Sequence, residues 1–212
     1  MGHRGLITIE GLDGAGKSTL AAALARELAA RGHPVELLRE PGGVEVSERI
    51  RTLVTDPALD VSPRAEALLY AAARAQLVQE LIEPRLAAGA LLLLDRFLDS
   101  SLAYQGAGRG LGVEQIRLIN RFAVGALEPR LTLLLRVSPA LGRARKQGQD
   151  EAPDRLESEH DGFFASVAAA YEDLAREEPA RIHVIDAAGP PEQVLSEALS
   201  AVEASLAEDR CD

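Results

Sequence analysis

A chain of 212 residues, 47% of them apolar and 26% charged, with a net charge of −10, has the makeup of one soluble α/β domain with a sizeable core. The acidic balance disfavours a nucleic-acid partner, whose affinity would rest on clustered lysine and arginine, and no apolar run reaches the roughly 20 residues of a membrane span. The single cysteine, Cys211, rules out an intrachain disulfide and suits a reducing cytoplasm.

The first predicted element is a buried strand over Gly5–Glu10, centred on Leu6-Ile7-Thr8-Ile9. It leads into Gly11-Leu12-Asp13-Gly14-Ala15-Gly16-Lys17-Ser18-Thr19, which has the G-x-x-x-x-G-K-[ST] form of a phosphate-binding loop. Glycines let successive N–H groups converge on phosphate oxygens, and the helix opening at Lys17 points its positive end at them. Lys17 would reach the outer phosphates and Ser18 would take a place on Mg²⁺. That helix is predicted to Arg31, where Gly32 stops it.

A second strand, Val35–Leu38, ends in Arg39-Glu40-Pro41-Gly42-Gly43. A helix over Glu45–Val54 follows, and Ser62-Pro63 opens a long helix to about Glu83 that Pro84 is expected to kink or end. Tyr70 and Arg74 lie four residues apart on it, so they share a face. The strand Ala90–Leu94 ends in Asp95-Arg96, at the edge where open α/β sheets bind ligands. Ser100, Ser101, Tyr104 and Gln105 come next, then a segment expected to be flexible, Gly106-Ala107-Gly108-Arg109-Gly110, and a helix over Val113–Val124.

A fourth strand, Leu131–Val137, precedes a helix from Pro139 that carries Arg143, Arg145 and Lys146. The polar, acidic run Gln147–Pro153 looks like a mobile loop, closed by Asp154-Arg155. A helix over Glu159–Glu177, a strand over Ile182–Ile185 and a helix over Pro191–Leu206 complete the alternation. This predicts a single doubly wound domain over residues 1–212, with a five-stranded parallel sheet and a lid at about 143–157. His3, His33, His160 and His183 show no metal-ligand spacing.

A GTP switch would need a guanine-selecting Asn-Lys-x-Asp, and the chain has none. Instead, Arg39, Arg74, Arg96, Ser101 and Gln105 gather cationic and hydrogen-bonding groups around strand ends. They suit an acceptor that carries both a phosphate and a base. A nucleoside 5′-phosphate is already largely dianionic at neutral pH, so phosphoryl transfer to it needs positioning and charge compensation rather than a strong base. These residues point to a nucleoside monophosphate kinase.

The motifs Arg39-Glu40-Pro41-Gly42-Gly43, Leu68-Leu69-Tyr70 to Arg74-Ala75-Gln76 and Asp95-Arg96-Phe97 through Ser100-Ser101-Leu102-Ala103-Tyr104-Gln105-Gly106 resemble the bacterial thymidylate kinase family over nearly the whole chain. The resemblance implies a P-loop fold, transfer from ATP·Mg²⁺ to dTMP, and a homodimer. It implies that Tyr70 stacks on thymine and Arg74 bonds its carbonyl oxygen. Ser100, Ser101 and Gln105 would bind the substrate, with Ser101 and Gln105 at the base edge. Arg39, Arg51 and Arg96 would hold the acceptor phosphate or bridge toward the donor, Asp13 would meet the 3′-hydroxyl and Tyr104 would crowd the 2′ position. Asp95 would support Mg²⁺, partly through water, together with Ser18. Because Gly14 gives the loop no arginine of its own, Arg143, Arg145 and Arg155 are the candidates for the catalytic lid cation.

The chain departs from the family at Tyr70, where phenylalanine is more usual, and at the acidic Gln149-Asp150-Glu151. The alternatives are a P-loop kinase for another nucleotide and a non-catalytic ATP-binding regulatory protein. A deoxynucleoside kinase would need a carboxylate base in a Glu-Arg-Ser-type run, which is absent.

Overall fold

Parallel strands need apolar residues on both faces, and the described residues form five of them: β1 (His3–Gly11), β2 (Val35–Arg39), β3 (Leu91–Asp95), β4 (Pro129–Arg136) and β5 (Ile182–Asp186). This computed structural model describes residues 3–148 and 154–208, so positions 149–153 of the predicted loop Gln147–Pro153 and Cys211 lie outside it, while Gln147 ends a helix rather than opening a loop. The strands pair in the order β2-β3-β1-β4-β5, all parallel as expected. Central β1 runs beside β3 with Ile9 level with Asp95, and beside β4 with Gly11 level with Leu135. The loop leaving β1 therefore starts next to the Asp95-Arg96 end of β3.

Alternation along β3 sends Leu92 and Leu94 into one apolar cluster with Leu77 and Ile82. Leu93 goes into the other, with Leu20, Leu24 and Leu28. Helices thus cover both faces of the sheet: α1 (Lys17–Ala30), α2 (Glu45–Thr55), α3 (Pro63–Leu77), α4 (Glu83–Ala87), α5 (Leu98–Ser101), α6 (Val113–Val124), α7 (Pro139–Gln147), α8 (Asp161–Glu177) and α9 (Pro191–Glu208). The polar residues of the core are paired within it. Thr8 and Thr132, on neighbouring central strands, hydrogen-bond through their hydroxyls at 2.8 Å.

Two expectations are corrected. Pro84 does not end the long helix. A π-helical turn over Val78–Ile82 carries α3 into α4, with the Glu83 N–H reaching back to the Val78 carbonyl. This widened turn re-routes the hydrogen-bond ladder just where proline lacks an N–H and crowds the preceding turn. Buried Val78, Ile82 and Leu86 hold it to the core.

The Gly106–Gly110 segment is helical through Gly108, since α5 continues into a π-helical stretch over Leu102–Gly108, and only Arg109 and Gly110 form the turn that follows. Gly108 serves close packing there: a methyl group on it would lie 2.6 Å from the Phe163 ring and 2.9 Å from Val167. Gly108→Ala is expected to destabilise by about 1–3 kcal/mol through overpacking. Thermal melting checks this, at about 2–4 °C per kcal/mol for a chain of this size. An unchanged or higher Tm, as for a glycine in a loose loop, would contradict it.

Candidate active site

The phosphate loop is shaped by Gly14 and Gly16, which take positive φ angles of 76° and 94°. A Cβ on Gly14 would overlap the backbone carbonyl of Gly142 in α7, and one on Gly142 would come within 2.6 Å of the Asp13 carbonyl. Loop and lid-bearing helix therefore touch backbone to backbone. Lys17 is buried and folds back to donate to the Leu12 carbonyl at 2.9 Å, with Asp13 3.8 Å away. Burial, aided by the nearby Arg96 charge, pushes its pKa down to about 8. Ser18 Oγ donates to Asp95 Oδ2 at 2.6 Å, so a hydroxyl from the first turn of α1, past the end of β1, and a carboxylate at the end of neighbouring β3 converge beside the loop.

Arg96 joins the two ends. It takes φ 71°, a conformation few non-glycine residues adopt and one that is often stored at functional sites. Its guanidinium donates to the Gly11 carbonyl (3.1 Å), Ser100 Oγ (2.9 Å), Tyr104 Oη (3.3 Å) and Asp13 Oδ1. Tyr104 Oη donates in turn to Asp13 Oδ2 at 3.0 Å. Burial works to raise the Asp13 pKa, but the Arg96 and Lys17 charges outweigh it and hold the carboxyl well below the usual range.

Beneath Arg96 lies a group that the sequence argument passed over. Glu10 is fully buried and accepts from the Phe97 N–H (2.7 Å), Ser100 Oγ (2.6 Å) and Tyr171 Oη (3.0 Å). Burial, with the nearby Asp99 charge, raises its pKa to about 7. A carboxylate closing an otherwise apolar strand directly before the phosphate loop was the available signal. Tyr171, 161 residues further on, offered none.

On the other side of the pocket, Tyr70 and Arg74 line one wall as their spacing predicts. Arg74 is 2% exposed and surrounded by acceptors: Glu40 Oε2 (2.7 Å), Ser101 Oγ (3.0 Å), the Phe97 carbonyl (3.0 Å) and Asn120 Oδ1. Burial, together with Glu66 and Asp154, raises the Tyr70 phenol well above its ordinary pKa and keeps it protonated. Arg39 and Arg51 both reach the Pro41 carbonyl, and Arg39 also binds both Glu48 oxygens at 2.9 Å. Ser101 and Gln105 complete the wall, with Gln105 Nε2 donating to the buried Glu66 at 2.8 Å.

Of the predicted phosphate-loop residues, Gly11, Leu12 and Ala15 do not line this pocket, Leu12 and Ala15 being turned into the core, and the predicted lid arginines are not brought to it either. Each is occupied elsewhere: Arg143 by Asp161 and the Phe164 ring, Arg145 by the Ala187 and Ala188 carbonyls, and Arg155 by the Val54 carbonyl and Glu66. The lid residues on the pocket wall are Lys146, Asp154, Leu156 and Glu157, with Lys146 3.1 Å from Glu157.

The family model for thymidylate kinase matches residues 9–198. Similar curated proteins are the thymidylate kinases of Deinococcus radiodurans (48% identity over 92% of this chain and 95% of the relative) and Desulfovibrio desulfuricans (47%, over 94% and 95%). A crystal structure of thymidylate kinase from Ehrlichia chaffeensis superposes with a TM-score of 0.75 at 30% identity, over 93% of this chain and 97% of that one.

Proposed function

Because the chain belongs to the thymidylate kinase family, whose enzymes phosphorylate dTMP, we propose the following division of labour among its pocket residues. The observation that carries it is one continuous pocket. Lys17 and Ser18 stand at one end, Tyr70, Arg74, Ser101 and Gln105 at the other, and Arg96 lies between.

The N–H groups of Gly11, Leu12, Asp13, Gly14, Ala15 and Gly16, with Lys17, Ser18 and Thr19, cradle the ATP phosphates. Tyr70 stacks on thymine, while Arg74 and the Ser101–Gln105 edge read its polar rim. Asp13 faces the sugar 3′-hydroxyl and Tyr104 crowds the 2′ position. Arg39, Arg51 and Arg96 hold the dTMP phosphate in line with the γ-phosphorus. A dTMP phosphate oxygen then bonds to that phosphorus as its bond to the β–γ bridging oxygen breaks, and ADP leaves with the bridging electron pair. The 5′-phosphate needs no base to become a nucleophile, so catalysis is positioning and charge compensation.

The hard oxygen donors of Ser18 and Asp95, 2.6 Å apart at the phosphate loop, fit a Mg²⁺ ion held mainly by nucleotide phosphates and water. That ion supplies charge screening of the β- and γ-phosphates. Asp95 holds Ser18 in place by a direct hydrogen bond and would support the ion partly through water. The charge that migrates with the phosphoryl group falls to the lid cations. Arg143, Arg145 and Arg155 must release their present partners to serve, whereas Lys146 already faces the pocket.

A coupled ADP-release assay with ATP·Mg²⁺ and a panel of nucleoside monophosphates tests the assignment. Turnover of dCMP or AMP without dTMP would overturn it. Lys17 adds a pH dependence. Its pKa in the free protein is depressed to about 8, so the side chain loses its proton as pH rises through that value. kcat/KM for ATP, which reports the free enzyme, is expected to fall between pH 7 and 9. A flat profile over that range would contradict the depressed pKa of Lys17.

The reading extends to a homodimer in the cytoplasm, with residues 1–212 as one domain and with no nucleic-acid or membrane partner. No helix among the described residues is long and apolar enough to cross a membrane. α2, α3 and α6 pack side by side and expose Leu53, Leu68, Leu118 and Phe122, the last 95% exposed. Such an apolar face suits a second copy of the chain. A monomer mass in light scattering would contradict the dimer.

A further inference from the structure

A fully buried carboxylate stands behind the thymine-reading edge, and none of the pocket assignments above gives it a task. Glu66 lies one helical turn before Tyr70 in α3. Its Oε1 accepts from Gln105 Nε2 at 2.8 Å. Its Oε2 accepts from Arg155 Nη2 at 2.6 Å and stands 3.0 Å from Arg109 Nη2. Arg155 also ties the lid's exit to the end of α2, through the Val54 and Thr55 carbonyls. One carboxylate thus gathers the base-edge amide and the returning lid strand.

A carboxylate only accepts hydrogen bonds. Facing Glu66, Gln105 must turn its NH₂ toward α3, which leaves Oε1 as the acceptor on the pocket side. An acceptor there suits a pyrimidine whose ring N3 carries a proton, as in thymine. It repels a pyrimidine whose N3 is itself an acceptor, as in cytosine. Rejection by a mismatched polar group discriminates more strongly than a change of size.

We propose that Glu66 is a positioning residue that fixes the amide orientation of Gln105, and so the dTMP-over-dCMP preference. The proposal rests on the dTMP kinase reading, and the experiment separates the two. If the wild-type chain does not turn over dTMP, that reading fails. If it does, the variants decide on Glu66 alone.

Steady-state constants are measured on the full chain for dTMP, dCMP and ATP. Glu66→Gln, which frees the Gln105 amide to turn, is expected to raise KM for dTMP about tenfold and to lower the dTMP/dCMP ratio of kcat/KM about tenfold, with KM for ATP changed less than twofold. The exchange Glu66→Gln with Gln105→Glu returns an acceptor to the pocket and a carboxylate to the cluster. It is expected to restore the ratio to within threefold of wild type. Should Glu66→Gln fail to fold, Glu66→Asp, which withdraws the carboxylate by one methylene, takes its place with the same expected loss. An unchanged ratio in the single variant, an equal loss toward both acceptors and ATP, or no recovery in the exchange would overturn the proposal.

Discussion

Arg74→Met is expected to cost the fold about 3–5 kcal/mol, because it strands the Glu40 carboxylate in the interior without its cation. Arg74 and Glu40 are 2% and 3% exposed and meet at 2.7 Å. Burial already raises the Glu40 pKa against the opposing pull of Arg74, so in the variant this carboxyl would take up a proton. A Tm lower by about 10 °C is the readout, given about 2–4 °C per kcal/mol in a chain of this size. Arg74→Lys separates fold from function. It keeps a positive charge, but a single ammonium cannot reach Glu40, Ser101, Asn120 and the Phe97 carbonyl together. It is expected to melt closer to wild type and to lose dTMP affinity tenfold or more, with ATP affinity nearly unchanged. Equal losses for both nucleotides would contradict the base-reading role.

Arg96→Met is expected to lower kcat by about 10², the scale of losing the alignment of the dTMP phosphate with the γ-phosphorus. Asp13, Ser100 and Tyr104 would lose the guanidinium they converge on, and with it their fixed relation to the phosphate loop. The backbone adds a second comparison. At φ 71° a glycine sits without strain, whereas methionine inherits all of it. Arg96→Gly should therefore be equally inactive yet melt above Arg96→Met. A glycine variant that melts below the methionine variant would show that strain at this position is unimportant.

The sequence revealed what short-range spacing encodes. The phosphate loop spans nine residues, Tyr70 and Arg74 stand one turn apart, and Asp95-Arg96 follows a run of four leucines, so each could be placed from its neighbours alone. The alternation of apolar runs and helix signals gave the parallel sheet for the same reason. Glu10 and Glu66 escaped because their meaning comes from partners far along the chain: Tyr171 for one, Arg109 and Arg155 for the other. The Gly106–Gly110 segment misled because glycine composition cannot tell a loose loop from a helix pressed against an aromatic ring. Phe163, which decides between them, lies 55 residues beyond Gly108. The lid arginines could be found as cations, but spacing says nothing about which carboxylate or carbonyl holds each one.

The backbone contact between Gly14 and Gly142 bears on how this site could change over generations. A lineage that placed a charged residue at Gly14 would first collide with α7, and one that enlarged Gly142 would collide with the loop. Neither single step leaves the two segments seated as they are. Shifting positive charge from lid to position 14 therefore requires a displaced loop or helix, and the inherited layout is guarded by two residues that carry no side chain at all.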